Sequence, residues 1–161
     1  MLVDPDGPVV SAKVEALLFA ADRSHHVDTV IRPALNKGVT VICDRYIDSS
    51  VAYQGVARGL AIEEIRELSR WATNGLKPDA TFVLDVDPRI GLERVNTTEY
   101  NRPDKFESES IHFANKVRAS FLATASNSDS HHVIDASQDP NAVHSQIAAI
   151  LAGKLSVPHS R

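Results

Sequence analysis

The 161 residues contain one cysteine, Cys43, which leaves no partner for an intrachain disulfide and rules out a multi-cysteine metal site. A reducing cytoplasm is therefore the default expectation. Long hydrophobic runs are missing too: none approaches the ~20 residues needed to span a bilayer. The opening MLVDPDGPVV lacks the basic and apolar regions of a secretory signal. There is no surplus of positive charge, with 17 Lys and Arg against 21 Asp and Glu. That balance argues against a nucleic-acid or anionic-membrane partner. Internal repeats and low-complexity tracts are absent. What remains is ordinary for a folded soluble chain, 43% hydrophobic and 24% charged, of a length that suits one domain over 1–161. Residues 155–161 read as a loose tail.

The hydrophobic pattern alternates in type. From Ser11 the spacing is helical, with Val14, Leu17, Leu18 and Ala21 on one stripe. Val27, Val30, Ile31 and Ala34 continue it, Pro33 is expected to kink the segment, and Gly38 to stop it. VTVIC at 39–43 is short and β-branched, the pattern of a strand buried on both faces, with Cys43 in the core. A helix fits 61–73, with Ile62, Ile65, Leu68 and Ala72 inward. ATFVLDV at 80–86 reads as a second buried strand. Asp87 and Pro88 open another helix. A helix at about 108–126 turns Ile111, Ala114, Val117 and Phe121 inward. HHVIDA at 131–136 reads as a third strand, followed by a last helix with Val143, Ile147, Ile150 and Leu151. This is the order of an α/β domain with a parallel sheet, whose ligands sit at the carboxyl ends of the strands.

Several residues do not fit a purely structural account. Phe19 and Arg23 lie one turn apart, nearly opposite the apolar stripe of the first helix. A ring and a guanidinium so placed can hold a flat, hydrogen-bonding ligand, although a surface Phe under an Arg stem gives the same pattern. Asp44-Arg45-Tyr46 directly follows a predicted strand; Arg45 there can clamp a phosphate and Asp44 can hold Mg2+ through water, or the two can form an ion pair. Ser49, Ser50, Tyr53 and Gln54 offer hydroxyls and an amide within two helical turns, and Gly55 and Gly59 permit close approach or tight turns. Arg102, Asp104, Lys105 and Glu107 precede a helix as a mixed-charge loop, readable as a lid or as a solvated surface. The paired histidines, His25–His26 and His131–His132, lack the spaced carboxylates or cysteines of a metal site.

Three stretches, EALLFAADRSHHVDTVIRPAL, VICDRYIDSSVAYQG and LKPDATFVLDVDP, resemble bacterial thymidylate kinases, in order and over about residues 10–136. The resemblance implies a P-loop α/β fold, a usual homodimer, and phosphoryl transfer from ATP to dTMP with Mg2+. On it, Phe19 stacks on thymine, Arg23 bonds the base edge, and Ser50 stands beside the base. Tyr53 and Gln54 line sugar and base. Arg45 grips the acceptor phosphate as a catalytic residue, with Asp44 near the metal. Arg102, Asp104, Lys105 and Glu107 form the lid, Arg102 supplying the charge-stabilising arginine where the family often has one in place of Lys105. The pattern departs at the front. None of the seven glycines opens G-x-x-x-x-G-K-[ST], the loop whose amides and lysine hold ATP phosphates. The expectation is thus a thymidylate kinase-like domain without the first two strands and P-loop, impaired in transfer. The alternatives are a non-catalytic nucleotide-binding remnant and a related deoxynucleoside kinase.

Overall fold

A computed structural model describes residues 9–97 and 111–155, without the side chains of 95–97 and 154–155. The expected tail beyond Leu155 and the four lid residues Arg102, Asp104, Lys105 and Glu107 lie outside the described residues.

Helix α1 spans Ala12–His26. Ser11 starts it, its hydroxyl accepting the amide of Val14 at 3.3 Å, and basic Arg23, His25 and His26 suit the negative end of its dipole. The break expected at Pro33 takes the form of a π-helical turn, Val27–Ile31, ahead of α2 (Arg32–Asn36). Proline has no N–H and crowds the carbonyl four residues back, and a wider turn relieves both problems. Gly38 then ends the segment with φ +74. Helix α3 (Ile47–Ser50) runs into a second π-helical stretch, Val51–Ala57, and α4 covers Ile62–Ala72. Strand β1 (Thr81–Asp85) leads to α5 (Pro88–Thr97), and α6 (Ile111–Ala125) leads to β2 (His131–Asp135) and α7 (Pro140–Leu155).

The sheet is parallel, as the α/β order requires, with β1 against β2 from Thr81↔His131 to Asp85↔Asp135. Three strands were expected; among the described residues only two pair. Residues 39–43 form no ladder, and instead of lying in a core they leave Val39 and Cys43 exposed and Ile42 92% exposed. β-branched sequence makes a strand only where another strand supplies hydrogen bonds, and among the described residues none pairs with 39–43. The same shortage leaves β1 and β2 half covered: Val83 and Ile134 are buried, whereas Leu84 and Val133 face outward.

The core hangs on the chain from Ile47 to Ala57. One cluster packs Val51 with Ala16 and Ile65; the other packs Ala52 with Phe113 and Val117. Residues 51 and 52 therefore point to opposite sides, toward α1 and α4 and toward α6. The stripe assigned to the core on α1 is inverted. Val14 and Leu17 are 42% and 49% exposed, while Glu15, Ala16 and Ala20 are buried. Likewise Ile62 and Ile111, expected inward, sit at the surface, and Phe113 takes the inner place on α6.

A cap ties the first helical arm to α4. Arg32 Nη2 donates to the carbonyls of Thr73 and Asn74, at 3.0 and 3.2 Å, where α4 ends through Asn74 and Gly75 at positive φ. Arg32→Ala is expected to cost about 1–3 kcal/mol, since both bonds have a charged donor. Thermal unfolding measures it, and an unchanged Tm would show that the cap adds nothing.

Candidate functional site

A cavity of about 320 Å3 opens between α1 and the chain from Ile42 to Gln54. Its walls include Phe19 and Arg23 from α1, Asp44, Arg45 and Tyr46 from the loop, and Ser50, Tyr53 and Gln54 beyond it. All the ligand-binding residues expected from sequence are thus brought together, with Asp44 beside them. The placement departs from expectation in one respect. No residue of β1 or β2 lines this cavity; the carboxyl end of β1, at Asp85 and Val86, lines an adjoining cavity of about 400 Å3 that shares Arg45 and Tyr53.

The inversion of α1 is what makes this site. The face carrying Phe19 and Arg23 is the inner one, so both side chains are half-buried rather than solvated. Arg23 Nη2 donates to Ser50 Oγ at 2.8 Å and to the Tyr46 carbonyl at 3.2 Å. Burial pulls the Arg23 guanidinium below its ordinary range, opposed by Tyr46 and nearby carboxylates, and it stays a cation. Ser50 is buried and holds Arg23 in place. Tyr46 is fixed in turn by its hydroxyl, which donates to the Leu76 carbonyl at 3.2 Å and is pushed up by burial.

Arg45 is built differently. Its backbone has φ +62, a left-handed conformation that costs an L-residue with a side chain roughly 1–2 kcal/mol. The side chain is exposed and its guanidinium carbon lies 5.1 Å from the centre of the Tyr53 ring. Tyr53 rests edge-on against Phe113 at 6.0 Å, so the platform beneath Arg45 is braced from α6. The π-helical stretch aims Tyr53 and Gln54. One residue more per turn rotates every following side chain, and no periodicity in the sequence signals it.

Two groups escaped the sequence reading. Glu15 is 3% exposed directly behind Gln54, and its only signal is its spacing of four from Phe19 and eight from Arg23. Asp85, at the end of β1, takes a bidentate pair from Arg118 at 2.6 and 2.9 Å, which holds its carboxyl below the usual range. Asp87 is drawn down to about 2 by Arg89. Among the described residues no group of three or more His, Cys, Asp or Glu side chains is placed to hold a metal, and no helix is long and apolar enough to cross a membrane.

A parallel α/β frame carrying an aromatic plane, a half-buried arginine and an exposed arginine around one cavity can hold a flat polar ring joined to an anion. The thymidylate kinase family matches residues 6–147, and the chain belongs to that family. It is 45% identical over 143 residues to the thymidylate kinase of Ligilactobacillus salivarius, covering 88% of this chain and 69% of that protein. The thymidylate kinase of Leifsonia xyli is 45% identical over 146 residues, 91% of this chain and 69% of that one. That of Bifidobacterium longum subsp. infantis is 48% identical over 148 residues, 91% of this chain and 62% of that one.

Proposed function

We propose that the cavity is the dTMP site of a transferase that moves a phosphoryl group from ATP to dTMP, giving dTDP. The observation that carries this is the convergence of Phe19 and Arg23, from α1, with Arg45, from the loop ahead of α3, and Tyr53 and Gln54, from the π-helical stretch, around a space of about 320 Å3. Phe19 offers a face on which thymine stacks. Arg23, already anchored through Nη2, directs the rest of its fork at the exocyclic oxygen on the base edge. Tyr53 lies against the sugar. Arg45 pairs with the phosphate, and its guanidinium fits two phosphate oxygens at once. Phosphoryl transfer is governed by positioning and charge, so a clamped acceptor oxygen is what these residues contribute.

Asp44 and Asp22 are the two carboxylates on the cavity wall, and among the described residues no group of three or more His, Cys, Asp or Glu side chains surrounds them. That fits Mg2+, which keeps several waters and takes one or two carboxylates alongside phosphates. Bound with ATP, the ion would neutralise charge on the transferred group. We assign Arg102 to the same charge and Asp104, Lys105 and Glu107 to a lid. We further propose a homodimer in the cytoplasm, formed through the outward stripe of α1. Val14, Leu17 and Val30 are exposed along this first helical arm, and such a contact would cover them.

Calorimetry with the 161-residue chain tests the site. Binding of dTMP is expected at micromolar to millimolar concentration, with thymidine weaker by about tenfold or more for want of the phosphate. Equal affinity for thymidine and dTMP, or no heat with dTMP, would overturn the reading.

A further inference from the structure

We propose that Glu15 decides which end of the Gln54 amide faces the ligand, and thereby makes the cavity accept a ring N–H and refuse a ring nitrogen lone pair. This rests on the reading of the cavity as a dTMP site. Glu15 and Gln54 are 3% and 2% exposed, and Gln54 Nε2 donates to Glu15 Oε1 at 2.8 Å. A carboxylate only accepts hydrogen bonds, so the amide meets it through NH2 and in no other way. Arg58 Nε lies 3.5 Å from the same oxygen, and its guanidinium carbon stands 4.8 Å above the Phe113 ring. A counter-charge is thus fixed beside the carboxylate. Turning the amide round would set carbonyl against carboxylate, two acceptors facing each other away from water, which such a site does not tolerate.

The carbonyl oxygen is therefore the group that Gln54 presents to the cavity it lines. Thymine carries a hydrogen on its ring N3, which a carbonyl accepts. Cytosine carries a lone pair there, which a carbonyl repels. Glu15 touches no ligand: it is a positioning residue acting through Gln54. Its place on α1, four residues before Phe19, puts the selector on the same helix face as the stacking ring.

The test is calorimetry of the full chain with dTMP and with dCMP. Glu15→Gln places an amide, both donor and acceptor, against Gln54 and releases its orientation. The preference for dTMP over dCMP is then expected to fall about tenfold, with the remainder supplied by Arg23. Glu15→Asp keeps an acceptor-only group and is expected to keep the preference even where both affinities drop. A merely structural role would lower both affinities together and leave their ratio alone. A Glu15→Gln ratio within about twofold of the unsubstituted chain overturns the proposal. The unsubstituted protein gives a second reading by NMR. The Gln54 side-chain NH2 is expected to stay protected from exchange and to keep its shift when dTMP binds; an NH2 that turns to the ligand overturns the proposal. Absence of dTMP binding would overturn the function reading and this inference with it. An unchanged ratio in a chain that binds dTMP overturns this inference alone.

Discussion

Arg45→Ala is expected to weaken dTMP binding by about 100-fold or more, because a bidentate, charge-assisted clamp is lost and the phosphate must rely on water. Arg45→Lys keeps the charge but not the fork, and an intermediate loss of about tenfold is expected. Arg45→Gly separates the side chain from the backbone. Position 45 sits at φ +62, where glycine is unstrained and alanine is not. The glycine variant is thus expected to lose the same affinity as alanine while unfolding about 1 kcal/mol later than it does. Calorimetry and thermal unfolding of the three variants measure both quantities. Unaltered dTMP affinity in Arg45→Ala would remove Arg45 from the phosphate site. An alanine variant as stable as the glycine one would mean that the left-handed backbone stores no strain.

A polypeptide confined to these 161 residues is expected to show dTMP kinase turnover far below the ~10 per second typical of enzymes. The residues proposed for the acceptor half, Phe19, Arg23 and Arg45, line one cavity. The donor half needs an array of backbone amides and a lysine around the β- and γ-phosphates of ATP, and no glycine here opens such a loop. Lys37 caps α2 on the surface and follows no glycine-rich turn. A coupled assay with ATP, magnesium and dTMP checks this. Turnover near the typical value would show that other residues hold ATP. Fusing a relative's strand–loop–helix bearing G-x-x-x-x-G-K-[ST] ahead of these residues is expected to raise the rate by orders of magnitude, since positioning accounts for most of this catalysis.

Much of this was legible in the sequence where a local rule suffices. Short apolar runs located β1 and β2, the period of 3.6 located the long helices, and the isolation of Phe19 and Arg23 from the apolar stripe marked the face of α1 that lines the cavity. Where the outcome depends on a partner, sequence misled. VTVIC is a strand by composition, but 39–43 forms no ladder and is largely exposed. Apolar spacing points to Val14 and Leu17 as core, but the small Ala16 and Ala20 hold that place, allowing α1 to approach the 47–57 chain. Acids are seldom buried, so nothing local marks Glu15; it is buried because Gln54 and Arg58 satisfy it. The π-helical stretch leaves no trace in a hydrophobic pattern.

The chain from Ile47 to Ala57 gives one side to each core cluster and its polar residues to the cavity. Its amide protons therefore have no private route to solvent: opening the binding wall exposes Val51 and Ala52 together, and with them both halves of the interior. Hydrogen exchange along 47–57 should follow global unfolding rather than local breathing. A ligand seated on Tyr53 and Gln54 then slows exchange in α4 and α6 alike, although it touches neither.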